Sequence, residues 1–161
     1  MDSIASDIQF MQEALSEAQR GFECNEVPVG AVLVINNEII ARAHNRVEGY
    51  ADATQHAEML CLQQAMEKLG NWRLNEATLY STLEPCPMCA GAMIHCRLST
   101  LVWGAPDVRC GAHGSWINML DTVHPIHRIK VRKGVLASLS SELMRTFFRQ
   151  RREELRNGKS L

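Results

Sequence analysis

Apolar side chains recur at Ile4, Ile8, Met11, Leu15 and Ala18, in steps of three or four that line one face of a helix. The spacing predicts an amphipathic first helix that ends near Gly21. An apolar run over 29–35, a turn at Asn36-Asn37 and a second run over 38–43 predict two strands joined as a hairpin. Helical spacing returns with Ala57, Leu60, Cys61, Gln64, Ala65 and Leu69, and Gly70-Asn71 stop it. A strand is predicted over 77–82, then a buried helix behind Cys86 carrying Ala90-Gly91-Ala92-Met93-Ile94, then a strand over 100–103. A glycine-bearing loop over 104–114 leads through Ser115-Trp116-Ile117 to Leu120, a short strand over 129–131 and a long helix over 138–156. No repeat or low-complexity linker interrupts the chain. A hairpin followed by strands alternating with helices predicts a mixed sheet covered by helices, in one α/β domain spanning 1–161.

Composition narrows this picture. The chain has 161 residues, 46% of them apolar, enough to bury a core of ordinary size. No apolar run is long enough to predict a membrane span. The start, Met1-Asp2-Ser3-Ile4-Ala5, lacks the basic stretch of a secretory signal. The six cysteines therefore read as reduced thiols of a cytoplasmic protein rather than as disulfides. Cys24, Cys61, Cys96 and Cys110 read as small buried or partly exposed residues.

The net charge of −1 conceals an uneven distribution. Residues 122–161 hold ten Lys and Arg against three Glu, whereas residues 1–121 hold seven against fifteen acidic residues. A basic tail suits an acidic partner, although on charge alone a solvated helix face is the better reading. Phe147 and Phe148 stand among Arg145, Arg149, Arg151 and Arg152. Aromatics beside cations suit unstacked RNA bases, with one of the two rings packing inward.

The chemistry-bearing residues are His56-Ala57-Glu58 and Pro85-Cys86-Pro87-Met88-Cys89. Cys86 and Cys89 are spaced to share one helix face. Pro87 between them marks the first helical position and makes Cys86 the cap, where the helix dipole favours thiolate. His56 and Glu58 are two apart and cannot share a helix face. Glu58 is thus a poor co-ligand, and suited instead to general acid/base work on a metal-activated water. Three ligands leave a fourth position open, the mark of a catalytic zinc site; a structural site would need a fourth donor such as His95 or Cys96. A redox dithiol would have no use for the His-x-Glu. His44, His95, His113, His124 and His127 lack ligand spacing and read as structural or surface residues.

These residues resemble the cytidine/deoxycytidylate deaminase superfamily, through His56-Ala57-Glu58 and the run from Thr82 through Glu84-Pro85-Cys86-Pro87-Met88-Cys89 to Met93. Flanking stretches resemble its tRNA adenosine deaminase branch. They are Asn25-Glu26-Val27-Pro28-Val29-Gly30-Ala31-Val32, Asn71-Trp72-Arg73-Leu74 and Phe147-Phe148-Arg149-Gln150-Arg151-Arg152, and the likeness runs from about Phe10 to Arg156. It implies a three-layer αβα cytidine-deaminase-like fold with a mixed five-stranded sheet, a homodimer, and one zinc ion per subunit held by His56, Cys86 and Cys89. It implies deamination of adenosine to inosine at the wobble position of a tRNA, an arginine tRNA with an ACG anticodon, with Glu58 moving the proton. It implies that Asn45 holds a flipped base of the anticodon stem-loop and Asp107 a ribose 2′-hydroxyl, while the aromatic–cation tail itself points to Phe147, Phe148, Arg149 and Arg152 as further RNA contacts. By themselves Asn45 reads as a turn residue and Asp107 as a loop cap. The superfamily also holds free-base deaminases for guanine or cytosine and non-catalytic RNA-binding partners. The basic Phe-Arg tail speaks against the first, and the retained Glu58 against the second. The chain departs from the branch at Ala53 and Gln55 before His56, and at Pro106 before Asp107.

Overall fold

A computed structural model describes residues 3–158; Met1, Asp2 and Lys159 of the sequence reading lie outside them. Five strands form one sheet in the order β2-β1-β3-β4-β5. The hairpin is β1 (Gly30–Ile35) and β2 (Glu38–His44), turned by Asn36 and Asn37, both in the left-handed conformation that Asn tolerates. β1 is antiparallel to β2 and to β3 (Thr78–Leu83), while β4 (Thr100–Ala105) and β5 (Lys130–Lys133) run parallel to β3. The mixed sheet expected from the sequence is therefore present, with β5 one to two residues later than the predicted 129–131.

Alternation along the strands separates two apolar layers. Ala31, Leu33, Leu79, Leu101 and Trp103 face α3 (Ala57–Leu69) and α4 (Pro87–His95), meeting Cys61, Leu62, Ala65, Ala90 and Met93. Val32, Val34, Tyr80 and Val102 face the opposite way, against Phe10, Met11 and Ala14 of α1 (Ser3–Glu23). α1 lies so close to β1 that a Cβ on Gly30 would sit 2.0 Å from the Ala14 carbonyl oxygen. The long basic helix α5 (Ala137–Arg156) covers this second face beyond α1. Phe147 joins the two helices, edge-on to Phe22 with ring centroids 5.6 Å apart. Asp7 of α1 also ties down the sheet: it accepts two hydrogen bonds from Arg132 of β5, at 2.6 and 2.8 Å, and one from Tyr80 at 3.0 Å.

Two features depart from the sequence reading. A one-turn helix, α2 (Val47–Tyr50), follows β2 where no element was predicted. Four residues are too few for periodicity to register. The connection from β4 to β5, residues 106–129, contains no helix, although a parallel crossover usually has one. Among the described residues no helix is long and apolar enough to cross a membrane.

Candidate active site

Two helix N-termini on the same face of the sheet carry the sequence-predicted chemistry. His56 is the N-cap of α3 and Cys86 the N-cap of α4, each with extended backbone, and Pro87 opens α4 as predicted. The turn leading to His56 is held by Asp52. Its carboxylate accepts from the Thr54 amide and hydroxyl, at 2.8 and 2.7 Å, and from the Gln55 side chain at 3.0 Å. The turn around Ala53 is thus held by Asp52, and Gln55 takes part in it.

His56 Nδ1 lies 3.5 Å from Cys86 Sγ and 3.6 Å from Cys89 Sγ, and the three donor atoms lie within 4.8 Å of one another. A tetrahedral ion bound at ordinary zinc distances puts its nitrogen and sulfur ligands about 3.5–3.6 Å apart. The observed edges match, so this group can hold a metal ion. The two thiols differ in acidity. Cys86 is drawn down to about 4, first by a hydrogen bond from the Cys89 thiol and then by His56, against the effect of burial. Cys89 is pushed far up because it keeps the shared proton and because it is buried. The Cys86 sulfur raises the His56 imidazole in turn. A metal ion displaces these protons on binding.

Glu58, in the first turn of α3, is 3% exposed. Burial raises its carboxyl above the usual range; the His56 imidazole and Ser81 act in the opposite sense. Ser81 Oγ lies 3.3 Å from Glu58 Oε1 and 2.9 Å from the Leu83 carbonyl oxygen. Its one proton can serve only one of them. A carboxyl whose proton affinity is raised by burial suits acid/base chemistry better than an exposed one.

His56, Glu58 and Cys86 line a cavity of about 370 Å³ that Asn45, Asp107, Met144 and Phe148 also line. Asn45 is buried, and its amide donates to Glu26 Oε2 at 3.5 Å. That carboxylate also accepts from the Glu48 and Gly49 amides, at 3.1 and 2.7 Å, and so seats α2 at the rim. Asp107 is half-buried, and its Oδ1 accepts from the Arg109 and Cys110 amides at 3.1 and 3.2 Å. It is both a loop cap and a cavity wall. Phe147 and Phe148 part company: Phe148 reaches the cavity, whereas Phe147 is 5% exposed and packs inward. Arg149 and Arg152 are exposed on α5 and do not line the cavity. Cys96 is buried against the Met93 carbonyl and His95 is exposed at the far end of α4, so neither joins the donor group.

Two buried groups around the site, Glu26 and Ser81, went unread in the sequence; Glu84, whose place before Pro85 reads only as shaping the turn through its backbone, acts through its carboxylate as well. Of the first two, only Ser81 left a trace, as a hydroxyl on the face of β3 otherwise occupied by Leu79 and Leu83. His113 is a structural histidine, as read. Trp103 Nε1 donates to its Nδ1 at 3.0 Å, and its Nε2 lies 3.1 Å from Asp121.

Residues 5–152 match the family model of the MafB19-like deaminases. The chain is 46% identical over 151 residues to the tRNA-specific adenosine deaminase of Bacillus subtilis, covering 94% of each chain. It is 48% identical over 158 residues to the chloroplastic tRNA(adenine(34)) deaminase of Arabidopsis thaliana, of which it spans only 12%. A structure solved in studies of A-to-I editing by tRNA:A34 deaminases superposes with a TM-score of 0.80 at 42% identity, over 84% of this chain and 98% of that one. These likenesses show that the chain belongs to the deaminase family of the tRNA-specific adenosine deaminases.

Proposed function

We propose that this chain converts adenosine to inosine at the wobble position of a tRNA, with water as co-substrate and ammonia as by-product. The observation that carries this reading is one cavity lined by His56 and Cys86 of a three-donor metal group, a buried non-ligand carboxyl and an aromatic wall. His56 Nδ1, Cys86 Sγ and Cys89 Sγ would hold one zinc ion per subunit. Zinc bound there supplies Lewis-acid activation of water.

Glu58 accepts the proton of the attacking water, delivers it to the ring nitrogen beside the reacting carbon, and then assists departure of the amine. Its burial keeps bulk water from short-circuiting the transfer. The Asn45 amide, oriented by Glu26, holds the edge of a flipped-out base. Asp107 offers its free carboxylate oxygen to a ribose 2′-hydroxyl, a group that marks RNA. Phe148 and Met144 give the base an apolar wall. Phe147 contributes by anchoring α5 beneath Phe148, and Arg149 and Arg152 meet backbone phosphates outside the cavity. The working form is a homodimer acting in the cytoplasm on the anticodon stem-loop of an arginine tRNA with an ACG anticodon.

The test is incubation of the zinc-loaded protein with that stem-loop transcript and, separately, with free adenine, guanine and cytosine. Inosine at the first anticodon position with the free bases unchanged is the expected result. Turnover of a free base with an unmodified transcript would overturn the reading.

A further inference from the structure

Glu84 is 1% exposed, and both its oxygens are turned into a single loop. They accept hydrogen bonds from the amides of Asp107 at 3.0 Å, His113 at 3.0 Å and Ser115 at 3.1 Å, and from the Ser115 hydroxyl. A carboxylate offers about four lone-pair sites, so the loop saturates it. A buried carboxylate is costly unless every site is satisfied, and the loop has no helix of its own to hold its shape. Each therefore depends on the other. Gly111 shows how tight the wrapping is, since a Cβ there would lie 2.3 Å from the Glu84 carboxyl carbon.

The same turn is tied at two further points. The Glu84 amide donates to the Ala105 carbonyl and the Ala112 amide to the Pro85 carbonyl, each at 2.8 Å. Glu84 thus connects the loop carrying Asp107, Arg109 and Cys110, all on the cavity wall, to the turn that delivers Cys86. We propose that Glu84 is a positioning residue: it holds the 106–115 loop in register with the metal-ligand turn and so sets the wall that receives the substrate. This rests on the RNA-deaminase reading for its substrate, but not for its structural half.

The test compares zinc-loaded wild type with Glu84→Gln, whose amide nitrogen opposes the loop's donors, and with Ser115→Ala, which removes one donor and leaves the carboxylate. Hydrogen exchange is read without substrate. Exchange at the Asp107, His113 and Ser115 amides should rise tenfold or more in Glu84→Gln and less in Ser115→Ala, with the β3 and β4 amides unchanged. With the stem-loop transcript, KM should rise about tenfold while kcat stays within threefold and metal content is kept. Unchanged loop exchange in both variants, exchange rising equally in the strands, or loss of kcat at constant KM would overturn the proposal. If Glu84→Gln does not fold, the Ser115→Ala result decides. An inactive wild type would instead count against the activity reading, and exchange would still decide the role of Glu84.

Discussion

Replacing Glu58 with Gln isolates the proton-transfer step. The amide has the shape of the carboxyl and can keep the contact with Ser81, which is 3.3 Å away. The site is buried and the replacement is neutral, so folding loses no ion pair. The metal group is untouched, because His56, Cys86 and Cys89 are the donors that converge and Glu58 is not among them. What disappears is a group able to take and return a proton. General acid/base catalysis of this kind contributes about 10²–10⁴ in rate, or about 3–5 kcal/mol of barrier. Glu58 is asked to serve both the water and the base, so the loss belongs at the upper end of that range. The assay is single-turnover inosine formation on the stem-loop transcript, with bound zinc measured on the same samples and the midpoint of thermal unfolding recorded. The expected result is a rate at least about 10³ lower at unchanged zinc content. A variant holding one zinc per chain within tenfold of the wild-type rate would refute the assignment.

Cys89→Ser removes a fully buried donor and should abolish stoichiometric zinc binding by metal analysis; wild type treated with a chelator should unfold at lower temperature, since a ligand of the native state stabilises it by mass action. Phe147→Ala should cost about 3–5 kcal/mol in urea unfolding, because the ring joins α1 to α5. Phe148→Ala should cost far less stability and act mainly on KM for RNA; equal effects of the two on stability would contradict the division between them. Asp7→Ala strips two Arg132 hydrogen bonds and one from Tyr80. With Arg132 partly in solvent, a loss of about 2 kcal/mol is expected, read as a lower urea midpoint with activity retained at 25 °C.

The two thiols of the donor group were legible because their spacing is local, whereas His56 joins them from another helix. The Cys86-Cys89 spacing and Pro87 place two thiols on the first turn of a helix, and α4 begins there. Helix spacing pointed away from Glu58 as a co-ligand, and the three donors that converge do not include it. The strands carry long apolar or alternating patterns, so β1, β3 and β4 were found to within about two residues. By contrast, α2 is shorter than any helical period, and the loop over 106–115 owes its shape to a carboxylate more than twenty residues away.

Residue type and spacing along the chain thus determined which two thiols share a helix turn and where the strands and all but the shortest helix form. Those are properties of neighbours a few bonds apart. Only the tertiary structure decided that Phe148 and not Phe147 reaches the cavity, that Glu26 orients Asn45, and that Glu84 holds the Asp107 loop. Each depends on which buried group meets which across the packed layers. A buried carboxylate accepts whatever donors the fold brings to it, and no short-range pattern in the chain records that pairing.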